Sequence, residues 1–287
     1  MNYRSTADLN ADVRDWILDL PKDIDLVVGI PRSGLLPANL LALHLNIPLT
    51  DLEGLQEGRL LRTGNHRYDD LPDFDDIRRV LVVDDSVRSG SQMREAKSQL
   101  SSHDFPFDIM YGAVYISPNG KQYADTYRQV VGTPRVFEWN IMHHNGVVPD
   151  ACVDLDGVLC RDPTPEENDD GENYREFIST VKPRTIPSEK IGWIVTCRLE
   201  KYRGLTKAWL EEHGICYGKL VMMDYPDRET RIQRSNHANY KANVYETTES
   251  RLFIESNHSQ AEKIARLTKK PVFSVENNQM LRQDYLT

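Results

Sequence analysis

Twice in this chain a short apolar run breaks off into closely spaced carboxylates and a glycine. Residues 79–93 read RVLVVDDSVRSGSQM, and residues 152–159 read CVDLDGVL. Runs of β-forming residues that are apolar on both faces belong in parallel sheets covered by helices, and ligands of such sheets gather at the carboxyl ends of the strands. Each run therefore points to an α/β layer with polar chemistry at one edge. In the first half, the amphipathic stretch Leu9 to Leu20 precedes a strand-like run from Ile24 to Ile30 and a helix pattern from Leu35 to Leu45. Val80 to Val83 then reads as a strand, Gln92 to Leu100 as a helix, and Met110 to Ile116 and Arg135 to Trp139 as later strands.

The same grammar restarts after residue 147. Ala151 to Leu155 and Ile191 to Val195 read as strands, Glu200 to His213 as a helix stopped by Gly214, and Leu220 to Met223, Leu252 to Ile254 and Val272 to Val275 as further strands. The chain, 287 residues long, is long enough for two domains, expected over 1–147 and 148–287. The fold class is α/β with two doubly wound parallel sheets. The acidic, apolar-poor segment Asp162 to Glu172 reads as an exposed loop beside a site.

Composition narrows the function. With 44 acidic against 35 basic residues and a formal charge of -9, the balance argues against a broad non-specific grip on nucleic acid and leaves room for a local basic groove. No run approaches the roughly 18 to 20 apolar residues of a membrane span. The first twenty residues lack the basic start and apolar middle of a signal peptide, so a cytoplasmic chain without a membrane partner is expected. Cys152, Cys160, Cys197 and Cys216 lack the close spacing of a zinc site and read as reduced thiols.

In residues 79–93 the loop after Asp84 and Asp85 can turn backbone N–H groups and the hydroxyls of Ser86, Ser89 and Ser91 toward one phosphate. A helix N-terminus and the close backbone approach at Gly90 assist it. The two acids are placed to bind vicinal ribose hydroxyls. This segment resembles the ribose-phosphate motif of the type I phosphoribosyltransferases, a likeness covering roughly residues 20 to 140. VGIPRSGLLP, residues 28–37, is similar to that family's pyrophosphate loop, a strained turn whose peptide is often cis.

The resemblance implies a site for phosphoribosyl pyrophosphate built from Arg32, Ser33, Gly34, Asp84, Asp85, Ser86, Val87, Arg88, Ser89, Gly90 and Ser91. It also implies Mg2+-assisted displacement of pyrophosphate by a nucleobase-like acceptor, beneath a mobile flap over Gly58 to Asp76 that carries Arg59, Arg62, His66 and Arg67. Arg88 stands where the enzymes for 6-oxopurines usually have an aspartate. No lysine occurs between Lys22 and Lys97 to match the loop lysine of the orotate enzymes. The acceptor, nucleobase or nucleotide, stays open.

In VDLDGVL, residues 153–159, Asp154 and Asp156 lie two apart at a strand end, and Gly157 permits the bend. The segment resembles motif I of the haloacid dehalogenase (HAD) superfamily of phosphohydrolases, a likeness covering about residues 150 to 280. WIVTCR supplies Thr196 for the second motif, and NYKANVY supplies Lys241 for the third, ahead of Arg198, Lys219 and Arg231. LFIESN supplies Glu255 for the fourth, with Ser256 where a second carboxylate often lies. The resemblance implies a HAD-like Rossmannoid fold with a minimal cap, and an aspartyl-phosphate mechanism. Asp154 is the nucleophile, Asp156 the acid and base, and Mg2+ is held by Asp154, Asp156 through its carbonyl, and Glu255. The expected chain is a bifunctional enzyme of nucleotide metabolism, in a homodimer if it pairs as phosphoribosyltransferases often do. The alternative is a sensor of phosphoribosyl pyrophosphate or nucleotide gating a phosphatase. That phosphatase would act on nucleic-acid ends if Arg198, Lys201, Arg203 and Lys207 form a basic edge.

Overall fold

A computed structural model of the protein describes residues 1–61, 73–234 and 236–282. It divides into two compact units, Met1–Arg135 and Val136–Thr287, which meet ahead of the 147/148 junction expected from the sequence. Among the described residues no helix is long and apolar enough to cross a membrane.

The first unit contains β1 (Asn2–Arg4), α1 (Thr6–Trp16), β2 (Leu26–Gly29), α2 (Leu35–Leu45), β3 (Leu49–Asp51), α3 (Leu52–Gln56), β4 (Arg79–Val87), α4 (Ser91–Leu100), β5 (Asp108–Ile116) and β6 (Thr126–Val130); β7 (Arg135–Phe137) spans the boundary. Five strands form one parallel sheet in the order β3-β2-β4-β5-β6. α1 starts at a reciprocal cap. Ser5 accepts from the Asp8 N–H, the Asp8 carboxylate accepts from the Ser5 N–H, and the helix then buries Leu9, Val13 and Trp16. One core of apolar side chains from β2, β4, α4 and β5, including Leu26, Val28, Val80, Val82, Met93 and Ala113, holds the sheet against its helices. β4 is longer than its apolar run predicts. It carries Asp84, Asp85 and Ser86 inside the strand, because pairing with β5 continues through Val87 opposite Ile116.

The second unit contains β8 (Ala151–Val153), α5 (Glu172–Thr180), β9 (Ile191–Leu199), α6 (Arg203–Glu212), β10 (Tyr217–Met223), α7 (Arg228–Arg234), α8 (His237–Glu246), β11 (Leu252–Glu255), α9 (His258–Thr268), β12 (Val272–Ser274) and β13 (Gln279–Leu281). Its sheet runs β10-β9-β8-β11-β12-β13, parallel except for the antiparallel edge strand β13. The order reverses at β8. The first strand in sequence is thus central, with β9 on one side and β11 on the other, and the switch point places the carboxyl ends of all three together. Behind it, α8 and α9 cover one face through Ala238, Ala242, Tyr245, Ala261 and Ile264.

The acidic segment 162–172 is exposed or part-exposed along its length, and it is anchored at Asp170. The Asp170 carboxylate accepts from Lys201 Nζ at 2.8 Å, from the Tyr202 hydroxyl at 2.9 Å and from the Arg228 N–H at 3.0 Å. These donors hold its carboxyl below the usual range, against a burial effect that alone would raise it.

Candidate functional site

In the first unit, β2 and β4 are neighbours, with Gly29 opposite Val83. The loops leaving their carboxyl ends therefore rise side by side. The β2 loop contains a cis peptide between Pro31 and Arg32, and Gly34 forms the N-cap of α2. The Ser33 hydroxyl donates to Asp85 Oδ1 at 2.8 Å and ties this loop to the strand beside it. Arg32 is exposed.

Asp84 and Asp85 are both buried. Asp84 Oδ1 accepts from the Asp85 N–H at 2.9 Å. Burial, and then the adjacent Asp85 charge, push the Asp84 carboxyl well above its ordinary range. Arg135 lies near this pair and reaches Ser86 Oγ at 3.4 Å. Val87 packs its side chain into the core and offers the site only its backbone. Arg88 and Ser89 are exposed, Gly90 caps α4 with φ of 73°, and the Ser89 and Ser91 hydroxyls stand 3.0 Å apart. Hydroxyls and helix amides thus share one small cradle, the arrangement that suits a phosphate. Arg62, His66 and Arg67 of the expected flap lie outside the described residues. Arg59 pairs with Asp51 and Glu57, each at 3.3 Å.

In the second unit, Asp154 follows β8 and its N–H donates to the Ile254 carbonyl of β11, so Asp154 and Glu255 leave the sheet side by side. Lys241, from α8, donates to Asp154 Oδ2 and to Glu255 Oε2, both at 2.8 Å, and all three side chains are buried. Burial alone would lower the Lys241 ammonium, but the two carboxylates outweigh it and hold the group above its ordinary range. Burial is the largest effect on Asp154 as well. With the Glu255 charge added, it raises Asp154 well above its usual range in spite of Lys241. Ser256 Oγ lies 3.2 Å from Asp154 Oδ2 and 3.2 Å from Glu255 Oε1, so the residue in the carboxylate position of the fourth motif joins the same cluster. Thr196 is buried in β9, where its Oγ1 accepts from the Arg198 N–H at 3.2 Å. Gly157, with φ of 82°, brings the first loop so close that a Cβ there would stand 2.4 Å from Ser256 Cβ.

Asp156 is not brought to Lys241. Its carboxylate is taken by Arg198, whose Nε lies 3.2 and 3.0 Å from the two oxygens and whose NH2 group lies 2.6 Å from Oδ1. The other candidates for the third motif also stand apart. Lys219 Nζ lies 4.1 Å from the Trp193 ring centroid, and Arg231 donates to the Cys197 carbonyl at 2.8 Å. The basic edge expected for nucleic acid is largely neutralised, since Arg198 pairs with Asp156, Lys201 with Asp170 and Arg203 with Glu200.

Carboxylate exceeds ammonium at this cluster. The carboxyl of Asp162 is also raised, first by desolvation and then by the charge of Asp156, and Glu255 adds to it. Hard oxygen donors in excess of local positive charge fit a small divalent cation such as Mg2+, with Asp154 and Glu255 as side-chain ligands. Among the described residues no group of three or more His, Cys, Asp or Glu side chains is placed to hold a metal unaided. Main-chain oxygen and water would complete the shell.

Residues 3–143 match the phosphoribosyl transferase domain family. The solved xanthine-guanine-hypoxanthine phosphoribosyltransferase of Helicobacter pylori is similar over 49% of this chain and 93% of its own, with 15% identity and a TM-score of 0.37. A purine phosphoribosyltransferase from Pyrococcus horikoshii is similar over 48% of this chain and 92% of its own, with 19% identity and a TM-score of 0.35. An orotate phosphoribosyltransferase from Aeropyrum pernix covers 44% and 72%, with 20% identity and a TM-score of 0.30. No curated protein matches the chain.

Within the phosphoribosyl transferase match, two residues absent from the motif reading brace the phosphate loop. Arg94 lies over the Tyr123 ring at 4.6 Å and donates to the Ser89 carbonyl at 3.0 Å. A Cβ on Gly90 would come within 2.2 Å of that same ring. Arg94 was legible only as a helix cation one turn past the loop. Tyr123 lies a strand and a turn further along the chain and carried no signal.

Proposed function

We propose that the chain is a bifunctional enzyme of nucleotide metabolism, with a phosphoribosyl transferase site in the first unit and a HAD-like phosphohydrolase site in the second. The family match to residues 3–143 supports the first half. The observation that carries the second is the buried Lys241 ammonium shared at 2.8 Å by Asp154 and Glu255.

In the transferase site, Asp84 and Asp85 bind the ribose hydroxyls of phosphoribosyl pyrophosphate. The backbone from Val87 to Gly90, with Ser86, Ser89 and Ser91, takes the 5′-phosphate, and Arg32, Ser33 and Gly34 face the pyrophosphate. The acceptor displaces pyrophosphate at the anomeric carbon: the carbon–nitrogen bond forms as the carbon–oxygen bond to pyrophosphate breaks. Positioning and charge stabilisation supply most of the catalysis. Mg2+, where bound at either site, supplies positive charge against phosphate oxygens.

In the hydrolase site, an Asp154 oxygen attacks phosphorus in line, and the bond to the leaving oxygen breaks as Asp156 gives that oxygen a proton. Asp156, now a carboxylate, takes a proton from water as the water oxygen attacks the aspartyl-phosphate. Asp154 and inorganic phosphate are released. Lys241 keeps Asp154 from electrostatic conflict with Glu255 and with the incoming phosphate, and Thr196 donates to a phosphoryl oxygen.

The test pairs two variants with two assays. Asp84→Asn with Asp85→Asn should abolish pyrophosphate release from phosphoribosyl pyrophosphate and an acceptor, and leave p-nitrophenyl phosphate hydrolysis intact. Asp154→Asn should do the reverse. Loss of both activities in either variant would point to one composite site. Binding of phosphoribosyl pyrophosphate without turnover by any acceptor would favour a sensor.

A further inference from the structure

The pairing of β9 with β10 slips between Val195, opposite Val221, and Leu199, opposite Met223, so that Thr196, Cys197 and Arg198 stand against Met222 alone. A bulge re-aims groups that a regular ladder would hold. Within it the Cys197 carbonyl accepts from the NH1 group of Arg231, on α7, at 2.8 Å. Arg231 is only 7% exposed. Its Nε is buried without a hydrogen-bond partner, and its side chain forms no ion pair, among the described residues. Arg228, one turn earlier on α7, gives its backbone N–H to Asp170, and its Nε is likewise buried without a partner among the described residues.

A guanidinium taken out of water without a counter-charge is unfavourable, and an apolar side chain would fill the same space without that penalty. Contact with one carbonyl does not call for a permanent cation either. With NH1 held by Cys197, the edge formed by Nε and NH2 is left. It presents two N–H donors side by side in one plane, the geometry that matches two oxygens of a phosphate. This edge belongs to the neighbourhood of the acid cluster without being part of it. Burial pushes the Cys197 thiol up to about 12, and the charges of Lys241, Asp154, Glu255 and Arg231 all act on it. Asp154 and Glu255 nevertheless take their ion pairs from Lys241.

We propose that Arg231 is a specificity residue that binds a second, non-reacting phosphate of the substrate, so that the second unit favours phosphate esters carrying two phosphate groups over those carrying one. This rests on the hydrolase reading above, in which Asp154 is the nucleophile. Thr196, Lys241 and a divalent cation serve the group being transferred, and Arg231 takes the phosphate beside it through its Nε and NH2 donors. Arg228 adds positive charge on the same side of α7. No bond is made or broken at Arg231, and its contribution is binding alone.

The consequence is a substrate preference that one side chain controls. Hydrogen bonds between charged groups are worth roughly ten- to a hundredfold. The experiment measures kcat and KM for release of phosphate from adenosine 3′-monophosphate, adenosine 5′-monophosphate and adenosine 3′,5′-bisphosphate, with Mg2+, by the wild type, Arg231→Met and Arg231→Lys. The wild type should prefer the bisphosphate to the better monophosphate by about tenfold or more in kcat/KM. Arg231→Met should lose that preference, chiefly through KM, because an interaction present equally in ground and transition states acts there. Arg231→Lys, which keeps the charge and loses the fork, should fall between the two.

Equal losses on the three nucleotides would make Arg231 a structural clamp on the bulge and overturn the proposal, as would a wild type without the preference. If Arg231→Met does not fold, the ratio in Arg231→Lys decides. Asp154→Asn separates the two readings. If it hydrolyses the nucleotides at the wild-type rate, or if the wild type hydrolyses none, the nucleophile assignment has failed, and Arg231 is then judged by binding. Titration calorimetry of adenosine 3′,5′-bisphosphate into Asp154→Asn should give an affinity about tenfold or more above that of Asp154→Asn with Arg231→Met, and equal affinities would overturn the role of Arg231.

Discussion

Lys241 is the residue on which the Asp154–Glu255 cluster depends most. It is buried between two carboxylates, so Lys241→Met leaves Asp154 and Glu255 facing each other without a cation. Removing one partner of a buried ionic group costs about 3–5 kcal/mol. The variant is expected to lose hydrolysis at least a hundredfold and to melt earlier in the second unit, as read by phosphate release and thermal unfolding. In the first unit the sensitive position is Gly90. Its φ of 73° is unfavourable for a residue with a Cβ by about 1–2 kcal/mol, and that atom would also meet Tyr123. Gly90→Ala should weaken phosphoribosyl pyrophosphate binding more than tenfold by titration calorimetry; unchanged binding would remove the loop from the site.

At this scale the sequence made the motif residues legible and their distant partners illegible. Asp84, Asp85, Asp154 and Asp156 stand out because strand, acid and glycine are adjacent in the chain. The Ser33 contact with Asp85 joins residues 52 apart, and that of Arg198 with Asp156 joins residues 42 apart. Such pairs are decided by strand order and register, which one-dimensional spacing does not carry. Ser256 is the clearest example. In sequence it is a missing carboxylate, but in space its hydroxyl meets both acids.

At the scale of elements, strands with uninterrupted apolar runs were legible and less hydrophobic elements were not. α8 buries Ala238, Lys241, Ala242 and Tyr245, spaced as a helix stripe. A lysine and two alanines in that stripe erase the hydrophobic contrast by which helices are read. β6, with a half-buried pattern, and the antiparallel edge strand β13 were missed for the same reason. α1 is more conventional. Its start depends on the Ser5–Asp8 box, so Ser5→Ala should lower the stability of the first unit by about 1 kcal/mol in urea unfolding.

α8 also carries a pH response. His237 sits at its first turn, where burial, followed by the Arg231 and Lys241 charges, lowers the imidazole to about 4, and the helix N-terminus likewise disfavours a cation. An imidazole depressed in the folded state stabilises the fold fully above its unfolded value near 6.5, and this contribution is lost as pH falls toward 4. His237→Gln should therefore show a smaller drop in urea midpoint between pH 6.5 and 4 than the wild type. An identical drop would show that the imidazole does not contribute.

For the whole molecule, two sheets with separate acid clusters predict two separable activities. Under the proposed function, joining them in one chain would raise the local concentration of a shared intermediate and let hydrolysis draw a reversible transfer forward. The most direct measurement is mass spectrometry of products formed from phosphoribosyl pyrophosphate, Mg2+ and a panel of bases by the wild type and by Asp154→Asn. The account predicts that the variant accumulates a nucleotide that the wild type carries on to nucleoside and phosphate. If both proteins accumulate the same nucleotide to the same extent, or neither consumes phosphoribosyl pyrophosphate, the coupled activity is contradicted.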